Sequence, residues 1–327
     1  MKKILTKISL FILIGIIISA CDAEKRVSAE KRLLTKNEIL VNDKKITDEI
    51  VFNQLYQKPN STLLLGYKLR LHLYNLANLN PDSTYQAKFT NNPGKYERKS
   101  KWLSSKQVDR LGKSFWYHGI HDFLKRTGEP PVIMDSAKTT KSLLRLKYFY
   151  FNDGYFNVKT SAALDTLKPK RAAVKYAVTT GAAYLLDTIK TTIATSELDS
   201  LYHSKKEIAV LQSGKQYKTV DFEEERNRVS TQFRNNGVYY FQPTYVNFDI
   251  DTISKKNKAN VNIIINDYSY QDKDSTKTEP FKLYTISDVN IYTDYNSNKE
   301  SQIIKDSLTY KNFNLYSHSK LKYKPYA

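Results

Sequence analysis

Cysteine is nearly absent from this chain, with one residue, Cys21, among 327. A single thiol excludes an internal disulfide framework, so the fold must depend on ordinary hydrophobic cores. Glycine and proline are also scarce, at 10 and 9 residues, which argues against a long disordered chain. The sequence contains no glycine-rich phosphate loop, nucleophile elbow or HExxH motif. These absences favour a folded chain without an evident catalytic motif, and its length suggests two or three domains.

The one long apolar run lies at the start of the chain and predicts export. Three lysines precede the run Ile8–Ile18, which is too short for a permanent transmembrane helix of roughly 20 residues. The following Ser19–Cys21 looks like the end of a bacterial lipobox, in which the cysteine is acylated and becomes the new N-terminus. We therefore predict a signal peptide over residues 1–20, palmitate-type lipid attachment at Cys21 and a tether over 21–32. Ordinary cleavage and an uncleaved anchor are the alternatives.

Acidic residues are outnumbered, with 33 Asp and Glu against 52 Lys and Arg, for a net charge of +19. Removing residues 1–20 takes away three lysines and leaves +16. For an exported chain, anionic lipid headgroups or lipopolysaccharide fit this charge better than nucleic acid does. The alternative is that lysine is simply abundant, as are Asn, Ile and Tyr.

Candidate metal-binding and catalytic side chains are few. His118 and His121 lie three residues apart, as metal ligands can, and Asp122 could share their helical face. No fourth ligand is evident, so polar positions on a basic helix are the preferred interpretation. The acidic residues Asp221 and Glu223–Glu225 are explained by the positive end of a helix dipole. We predict no metal, no cofactor and no enzymatic activity.

The first part of the chain mixes clear and ambiguous patterns. Residues 33–41 predict a strand, and Thr47–Glu49 predicts the start of a helix. Strand and helix both fit Leu65–Leu73, and the polar residues 78–100 predict a loop. Residues 102–125 predict an amphipathic helix rich in aromatic and basic side chains. That helix either lies on a membrane surface or packs on its own domain, and packing is the preferred interpretation.

A helix followed by two strands occurs twice further along. In the first copy, a helix over residues 138–153 ends at Gly154, and strands follow over 155–163 and 170–180. Glycine adopts the left-handed conformation that commonly ends a helix. The corresponding glycine of the second copy lies 83 residues later, which gives the length of the repeat.

In the second copy, a helix from Asp221 to Asn235 is followed by Gly237 and by strands over 238–250 and 259–265. Asp221 and Glu224 have the spacing of a capping box at the start of this helix. The copy therefore repeats the order of the first.

Leading strands precede the later units. Residues 183–195 form one, with a short helix beginning at Ser196, and residues 281–293 begin what should be a third unit. The order in each unit is therefore strand, helix, helix, strand, strand. Two helices can cover one face of a three-stranded sheet, so the predicted fold class is α+β.

This order, with the helix ends at Asn152–Phe156 and Asn235–Phe241, resembles the POTRA domains of the BamA/TamA outer-membrane assembly family. Other stretches are similar to the lipid-anchored, TamA-like (TamL) branch found in Bacteroidota. These stretches are Leu34–Asn37 with Val41–Asp43, Gly128–Val132 and Leu321–Pro325.

The resemblance implies tandem POTRA-like units after the tether. The first would occupy residues 33–182 with a long insertion over about 61–132, the second 183–267, and an incomplete third 279–327. Relatives continue into a transmembrane β-barrel, for which the residues after Pro280 are too few. We therefore expect either a truncated form of a longer protein or a stand-alone lipoprotein.

Small sheets with open borders predict binding rather than catalysis. Edge strands leave backbone groups free to pair with an extended segment, which is called β-augmentation. The strand after each terminating glycine is the predicted edge. In the second copy, the side chains that suit a solvated edge are Tyr239, Gln242, Thr244 and Asn247.

Two functions follow from the resemblance. The first is a non-enzymatic module, lipid-anchored at the outer membrane with its domains in the periplasm, that receives unfolded outer-membrane protein clients. The second is a scaffold lipoprotein that tethers a periplasmic partner such as a TamB-like protein. Nucleic acid is not an expected partner of either.

Overall fold

The computed structural model describes residues 23–63, 66–166, 169–295 and 303–321. The predicted signal peptide and Cys21 lie outside these residues, and so does most of the Leu321–Pro325 stretch. The chain divides into two units, Met1–Tyr184 (unit 1) and Leu185–Ala327 (unit 2). Within the described ranges, no helix combines the length and the apolar character that a membrane crossing requires.

Unit 1 contains a four-stranded sheet. Its two central strands, β1 (Leu33–Val41) and β4 (Arg171–Thr179), run parallel. β2 (Lys44–Ile46) pairs antiparallel with β1, and β3 (Lys159–Asp165) pairs antiparallel with β4, so that β2 and β3 form the two edges. The strand predicted over 155–163 corresponds to β3 and begins four residues later than predicted. The N–H of Val158 bonds to the carbonyl of Tyr155, so these residues form a turn instead of a strand.

A short helix follows the first hairpin of unit 1. This helix, α1 (Glu49–Phe52), begins after Asp48, whose carboxylate accepts a hydrogen bond from the N–H of Ile50 at 2.8 Å. Such a cap satisfies one of the N–H groups that a helix leaves without a partner in its first turn. Val51 and Leu55 are buried in the same core as the sheet residue Ile39.

The insertion over residues 61–132 is helical. It contains α2 (Leu69–Leu76), α3 (Pro81–Thr90), α4 (Pro93–Trp102), α5 (Ser105–Gly112), a π-helical turn (Phe115–Gly119) and α6 (Ile120–Thr127). The loop predicted over 78–100 is wrong, because Pro81 and Pro93 each begin a helix, where the missing N–H of proline costs nothing. The single helix predicted over 102–125 is also wrong. Ser104 and Gln107 form a capping box that starts a new helix.

The long helix α7 (Ser136–Asn152) completes unit 1. Asp135 caps it by accepting a hydrogen bond from the N–H of Ala137 at 2.8 Å. Leu146 of α7 is fully buried and belongs to one hydrophobic core with Val174 and Tyr176 of β4. The helix therefore covers the apolar face of the sheet.

Unit 2 begins with a three-stranded sheet of the same connectivity. β5 (Leu185–Ile193) runs parallel to the central strand β7 (Lys258–Ile265), and β6 (Val246–Asp251) runs antiparallel to it on the other side. Two helices, α8 (Ser196–His203) and α9 (Thr219–Asn235), lie between β5 and β6 in the chain. The predicted α+β fold class with tandem strand-helix-helix-strand-strand units is thereby confirmed.

One face of this second sheet is buried beneath α9. Alternate residues of β7 are at most 2% exposed, namely Ala259, Val261, Ile263 and Ile265. Phe222 of α9 contacts Phe248 of β6 with ring centroids 5.1 Å apart. The helix begins two residues earlier than predicted, and its N-cap residue, Lys218, makes no side-chain cap bond. The capping box predicted for Asp221 and Glu224 is therefore wrong, because Asp221 already lies inside the first turn.

Two further β elements complete unit 2. β8 (Tyr268–Asp272) and β9 (Ser275–Glu279) form a hairpin that the sequence analysis did not predict. A last sheet contains β10 (Val289–Tyr292), β11 (Asp306–Tyr310) and β12 (Phe313–Ser317). β10 is parallel and β11 antiparallel to β12, which repeats the topology of the sheet in β5–β7. Of the strand predicted over 281–293, only the last part forms a strand, which is β10.

Candidate polypeptide-binding edges

β3 is a long, regular edge strand of unit 1. It pairs with β4 without a register shift, from Lys159 opposite Thr179 to Asp165 opposite Ala173. Six of its seven residues are exposed. Among the described residues, no strand pairs with its outer side. A regular edge of this kind presents backbone N–H and C=O groups to an incoming extended segment.

The side chains of β3 offer little obstruction to such a segment. The central residues Ser161, Ala162 and Ala163 are small, and the charged residues Lys159 and Asp165 stand only at its ends. Natural edge strands are commonly protected by charge, bulges or short length. β2, at the opposite edge, is protected in this way because it has only three residues.

Both edges of the first sheet in unit 2 are partly occupied. β5 has a register shift after Leu186, whose N–H and C=O bond to Lys215 and Gly214 at 2.8 Å each. β6 is regular, but the carbonyl of Val246 accepts a hydrogen bond from Nε of Arg226 at 3.0 Å. The open part of β6 therefore runs over residues 247–251.

The four side chains predicted to line this edge do not share a strand. Only Asn247 lies in β6, whereas Thr244 is in a 3-10 turn and Tyr239 and Gln242 are in the preceding loop. The strand predicted over 238–250 is too long, because the loop that precedes β6 packs into an aromatic cluster instead of continuing the strand. Phe241 is 1% exposed, and its ring lies 4.8 Å from that of Phe233 in α9.

Gly154 and Gly237 stand just beyond the ends of α7 and α9. Their φ angles are +87° and +92°, which lie in the left-handed region that glycine adopts without strain. A Cβ on Gly237 would lie 2.6 Å from the carbonyl oxygen of Tyr284, whose own N–H donates to the Gly237 carbonyl at 2.7 Å. Each glycine turns the chain from a long helix toward the following edge strand.

A buried carboxylate joins α8, α9 and the segment between them. Glu225 is fully buried and accepts hydrogen bonds from the N–H of Val210 at 2.7 Å, from Tyr202 Oη at 3.1 Å and from two nitrogens of Arg228. Burial and the neighbouring Glu225 charge raise the pKa of Tyr202. Assigning Glu225 to the helix dipole was therefore wrong, since it lies beyond the first turn of α9. Residue type alone gave no signal for this network.

The candidate metal ligands are not brought together as a site. Nδ1 of His118 lies 3.0 Å from Asp122, while Nδ1 of His121 accepts a hydrogen bond from the N–H of Asn78 at 3.2 Å. Lys125 donates to Asp122 at 2.8 Å and is the main cause of the lowered pKa of that carboxyl group. In the part of the chain that the structure describes, no cluster of three His, Cys, Asp or Glu side chains could hold a metal ion.

No family model and no curated protein matches the chain. Similar solved structures include POTRA domains 3–5 of BamA from Haemophilus influenzae, with 10% identity, a TM-score of 0.32 and coverage of 89% of this chain and 98% of that chain. POTRA domains 1–3 of Omp85 from Anabaena have 10% identity and a TM-score of 0.28, covering 72% and 62%. The N-terminal domain of Omp85 from Thermosynechococcus elongatus has 12% identity and a TM-score of 0.23, covering 45% and 57%. Since these TM-scores are below 0.5, the fold is assigned from the element order within each unit.

The Gly128–Val132 stretch returns the chain from the insertion to β1. A Cβ on Gly128 would lie 2.6 Å from the backbone nitrogen of Tyr74, so only glycine fits this approach to α2. Nδ2 of Asn60 donates to the carbonyl of Pro130 at 2.7 Å, and its Oδ1 accepts from the N–H of Val132 at 3.0 Å. The N–H of Leu34 in β1 donates to the Val132 carbonyl at 2.8 Å. The stretch therefore fastens the insertion to the sheet of unit 1.

Proposed function

We propose that this protein is a non-catalytic polypeptide-binding module that accepts extended segments along the edges of its small sheets. The observation that carries the proposal is the outer edge of β3, which is regular, exposed and lined by small side chains. Backbone pairing uses groups that every residue except proline carries, so one edge can serve segments of many sequences. Residues 247–251 of β6 offer a second, shorter edge.

The clients that suit such an edge are unfolded outer-membrane proteins before assembly. Their strands are segments of about ten residues with alternating apolar and polar side chains. Before a barrel closes, the backbone groups of such segments are hydrogen-bonded only to water and can pair with β3 instead. The resemblance to POTRA domains supports the same class of client, and we place the module on the periplasmic side of the outer membrane. A TamB-like partner would use the same edge.

A cysteine placed on β3 should form a disulfide with a bound extended peptide. We propose Ala163→Cys in a Cys21→Ser background, which carries no other thiol. The probe is a ten-residue peptide of alternating Val and Thr with blocked ends, whose one cysteine is activated as a 2-thiopyridyl disulfide. We expect rapid exchange, in which the introduced thiolate attacks the peptide disulfide and displaces 2-thiopyridone, because pairing along β3 holds the sulfur atoms close together. Mass spectrometry measures the mixed disulfide.

The matched control is Lys175→Cys. Lys175 lies directly opposite Ala163 on the central strand β4 and is also exposed, but a peptide on the outer edge of β3 is one strand further away. This variant should react no faster than free cysteine. A peptide N-methylated at alternate amides lacks the backbone donors and should react slowly at both positions. Equal rates at both cysteines, or undiminished reaction of the methylated peptide, would remove the proposed edge.

We also propose that an acyl chain on Cys21 anchors the module. Ala23, two residues after Cys21, already contacts the insertion of unit 1. Nδ2 of Asn75 in α2 donates a hydrogen bond to the carbonyl of Ala23 at 3.3 Å. Val27 is 3% exposed and packs in a small core with Leu33 and Leu71. Residues 23–27 therefore pack against α2, and a lipid anchor at Cys21 would hold unit 1 close to the membrane.

Cys21→Ala should release the processed protein from the membrane fraction. More than one acyl chain, each adding roughly 0.8 kcal/mol per buried CH2, gives stable attachment that the variant lacks. Fractionation after a high-salt wash measures the release, and incorporation of a labelled fatty acid into the parent protein is the control. A stable Cys21→Ala product that remains in the washed membrane pellet would contradict a lipid anchor.

A further inference from the structure

We propose that the helical insertion of unit 1, residues 61–132, is a docking surface for an anionic lipid bilayer. The chain has two tryptophans, Trp102 and Trp116, and both lie in this insertion. They are 92% and 76% exposed, so neither indole contributes to the core of unit 1. Tryptophan is favoured at the headgroup level of membranes, where its ring is partly apolar and its N–H meets water.

The apolar residues around Trp116 form a stripe rather than isolated exposed side chains. Trp116, Ile120 and Phe123 follow one another at spacings of four and three residues, which places them on one side of the π-turn and α6. Phe115, 61% exposed, contacts Trp116 with ring centroids 5.7 Å apart, and Phe123 is 53% exposed. No residue of α6 is fully buried, and Ile120 between the exposed rings of Trp116 and Phe123 is partly exposed. An amphipathic helix with an uncovered apolar side is typical of segments that lie in a membrane interface.

The charge of the insertion is complementary to anionic headgroups. It contains twelve Lys or Arg residues and five Asp or Glu residues, a balance of +7 out of +16 for the processed chain, residues 21–327. Lys101 and Lys113 lie beside Trp102 and close to Trp116 in the sequence. A basic surface with aromatic side chains combines the two attractions that peripheral proteins use, electrostatic and hydrophobic.

The insertion also lies next to the residues that follow Cys21. Ala23 is hydrogen-bonded to Asn75 of α2, and Val27 packs against Leu71 of the same helix. Two residues span at most about 7 Å, so a lipid anchor at Cys21 would lie within about 7 Å of the contact between Ala23 and Asn75. This step rests on the proposed lipid anchor, whereas the exposure and charge of the insertion do not.

Vesicle binding by the processed chain with Cys21→Ser tests the surface without an acyl group. The probes are phosphatidylcholine vesicles and vesicles of phosphatidylcholine with 30% phosphatidylglycerol. Because both tryptophans lie in the insertion, a blue shift of the emission reports its entry into the interface directly. We expect the shift and co-sedimentation with anionic vesicles at low salt, and neither with neutral vesicles. High salt should reverse the binding, because it screens the charges.

Two double variants separate the contributions. Trp116→Ser with Phe123→Ser should lower partitioning at least about tenfold, since it removes the apolar stripe. Lys101→Gln with Lys113→Gln should lower it about 25-fold, at about fivefold for each basic residue near an anionic surface. The matched control is Ile253→Ser in unit 2, which is 93% exposed and should change nothing. Circular dichroism verifies the fold, and Trp102→Ser is the second test if the Trp116 variant is unstable.

Three results would overturn the proposal. These are unshifted emission with anionic vesicles, equal binding to both kinds of vesicle, and binding that the double variants leave unchanged. Saturable binding of polyglutamate that anionic vesicles do not displace would instead assign the surface to an acidic protein. Disulfide capture at Ala163→Cys reports β3 alone, so a failure of the lipid surface and a failure of the edge are distinguishable.

Discussion

Replacing Glu225 with alanine should destabilise unit 2 by about 3–5 kcal/mol, because the change leaves the other charge of a buried ion pair without its partner. The Glu225 side chain is fully buried, and that of Arg228 is only 13% exposed. The same substitution leaves the N–H of Val210 and the hydroxyl of Tyr202 without their acceptor. α8 and α9 would then lose the polar contact that fixes them to each other and to the segment between them. Urea unfolding followed by circular dichroism measures the change.

Glu223→Ala is the matched control for this prediction. Glu223 lies on the same helix and pairs with Arg226 at 2.6 Å, but its side chain is 60% exposed. An exposed ion pair contributes about 0–1 kcal/mol, so the control should unfold close to the parent protein. If both variants lost the same small amount of stability, the buried network would not have the role assigned to it.

Gly237→Val should lower the free energy of unfolding of unit 2 by about 3 kcal/mol, the upper end of the cost of a strained backbone position. The residue has a φ of +92°, which a β-branched side chain resists. The new Cβ would also lie 2.6 Å from the carbonyl oxygen of Tyr284. Relief of that contact would require the segment at Tyr284 to move, together with the hydrogen bond that joins the two residues. Thermal and urea unfolding of the parent and variant provide the measurement.

Gly214→Val separates the two causes. Gly214 has a φ of +86°, but a Cβ there would meet nothing within 4 Å. This control should therefore lose only the cost of the left-handed conformation, about 1–2 kcal/mol. The difference between the variants measures the contact with Tyr284, and equal losses would show that backbone conformation alone is responsible.

Periodic patterns in the sequence predicted the elements that pack against one another. The strand over 33–41 and the helix predicted over 138–153 are found within two residues of their predicted limits. Their apolar residues recur at strand and helix spacing because one side of each faces a core. The loop predicted over 78–100 was wrong because the helices there lack such an apolar stripe: α4 buries no residue, and α3 buries only Pro81 and Tyr85.

The candidate edges were predicted less well than the fold. Aromatic side chains between Gly237 and β6 have high strand propensity, but Phe241 is buried against Phe233 instead of extending the strand. The strand after Gly154 was predicted as an edge from the order of elements, and β3 does lie at the edge of its sheet. Its residues Ser161, Ala162 and Ala163 gave no separate indication, because they are neither clearly apolar nor clearly polar. These residues form an open edge because, within the described part of the chain, β3 has a neighbouring strand, β4, on one side only.

The sequence by itself determined the α+β class, the repeated order of helices and strands, and the glycines that end α7 and α9. These features depend on the local spacing of apolar residues and on the backbone freedom of glycine, which are properties of residues close together in the chain. Only the tertiary structure decided that Glu225 is buried, that β3 is regular along its whole length and that Trp102 and Trp116 face solvent. Burial and strand pairing join residues far apart in the chain, so no local pattern specifies them.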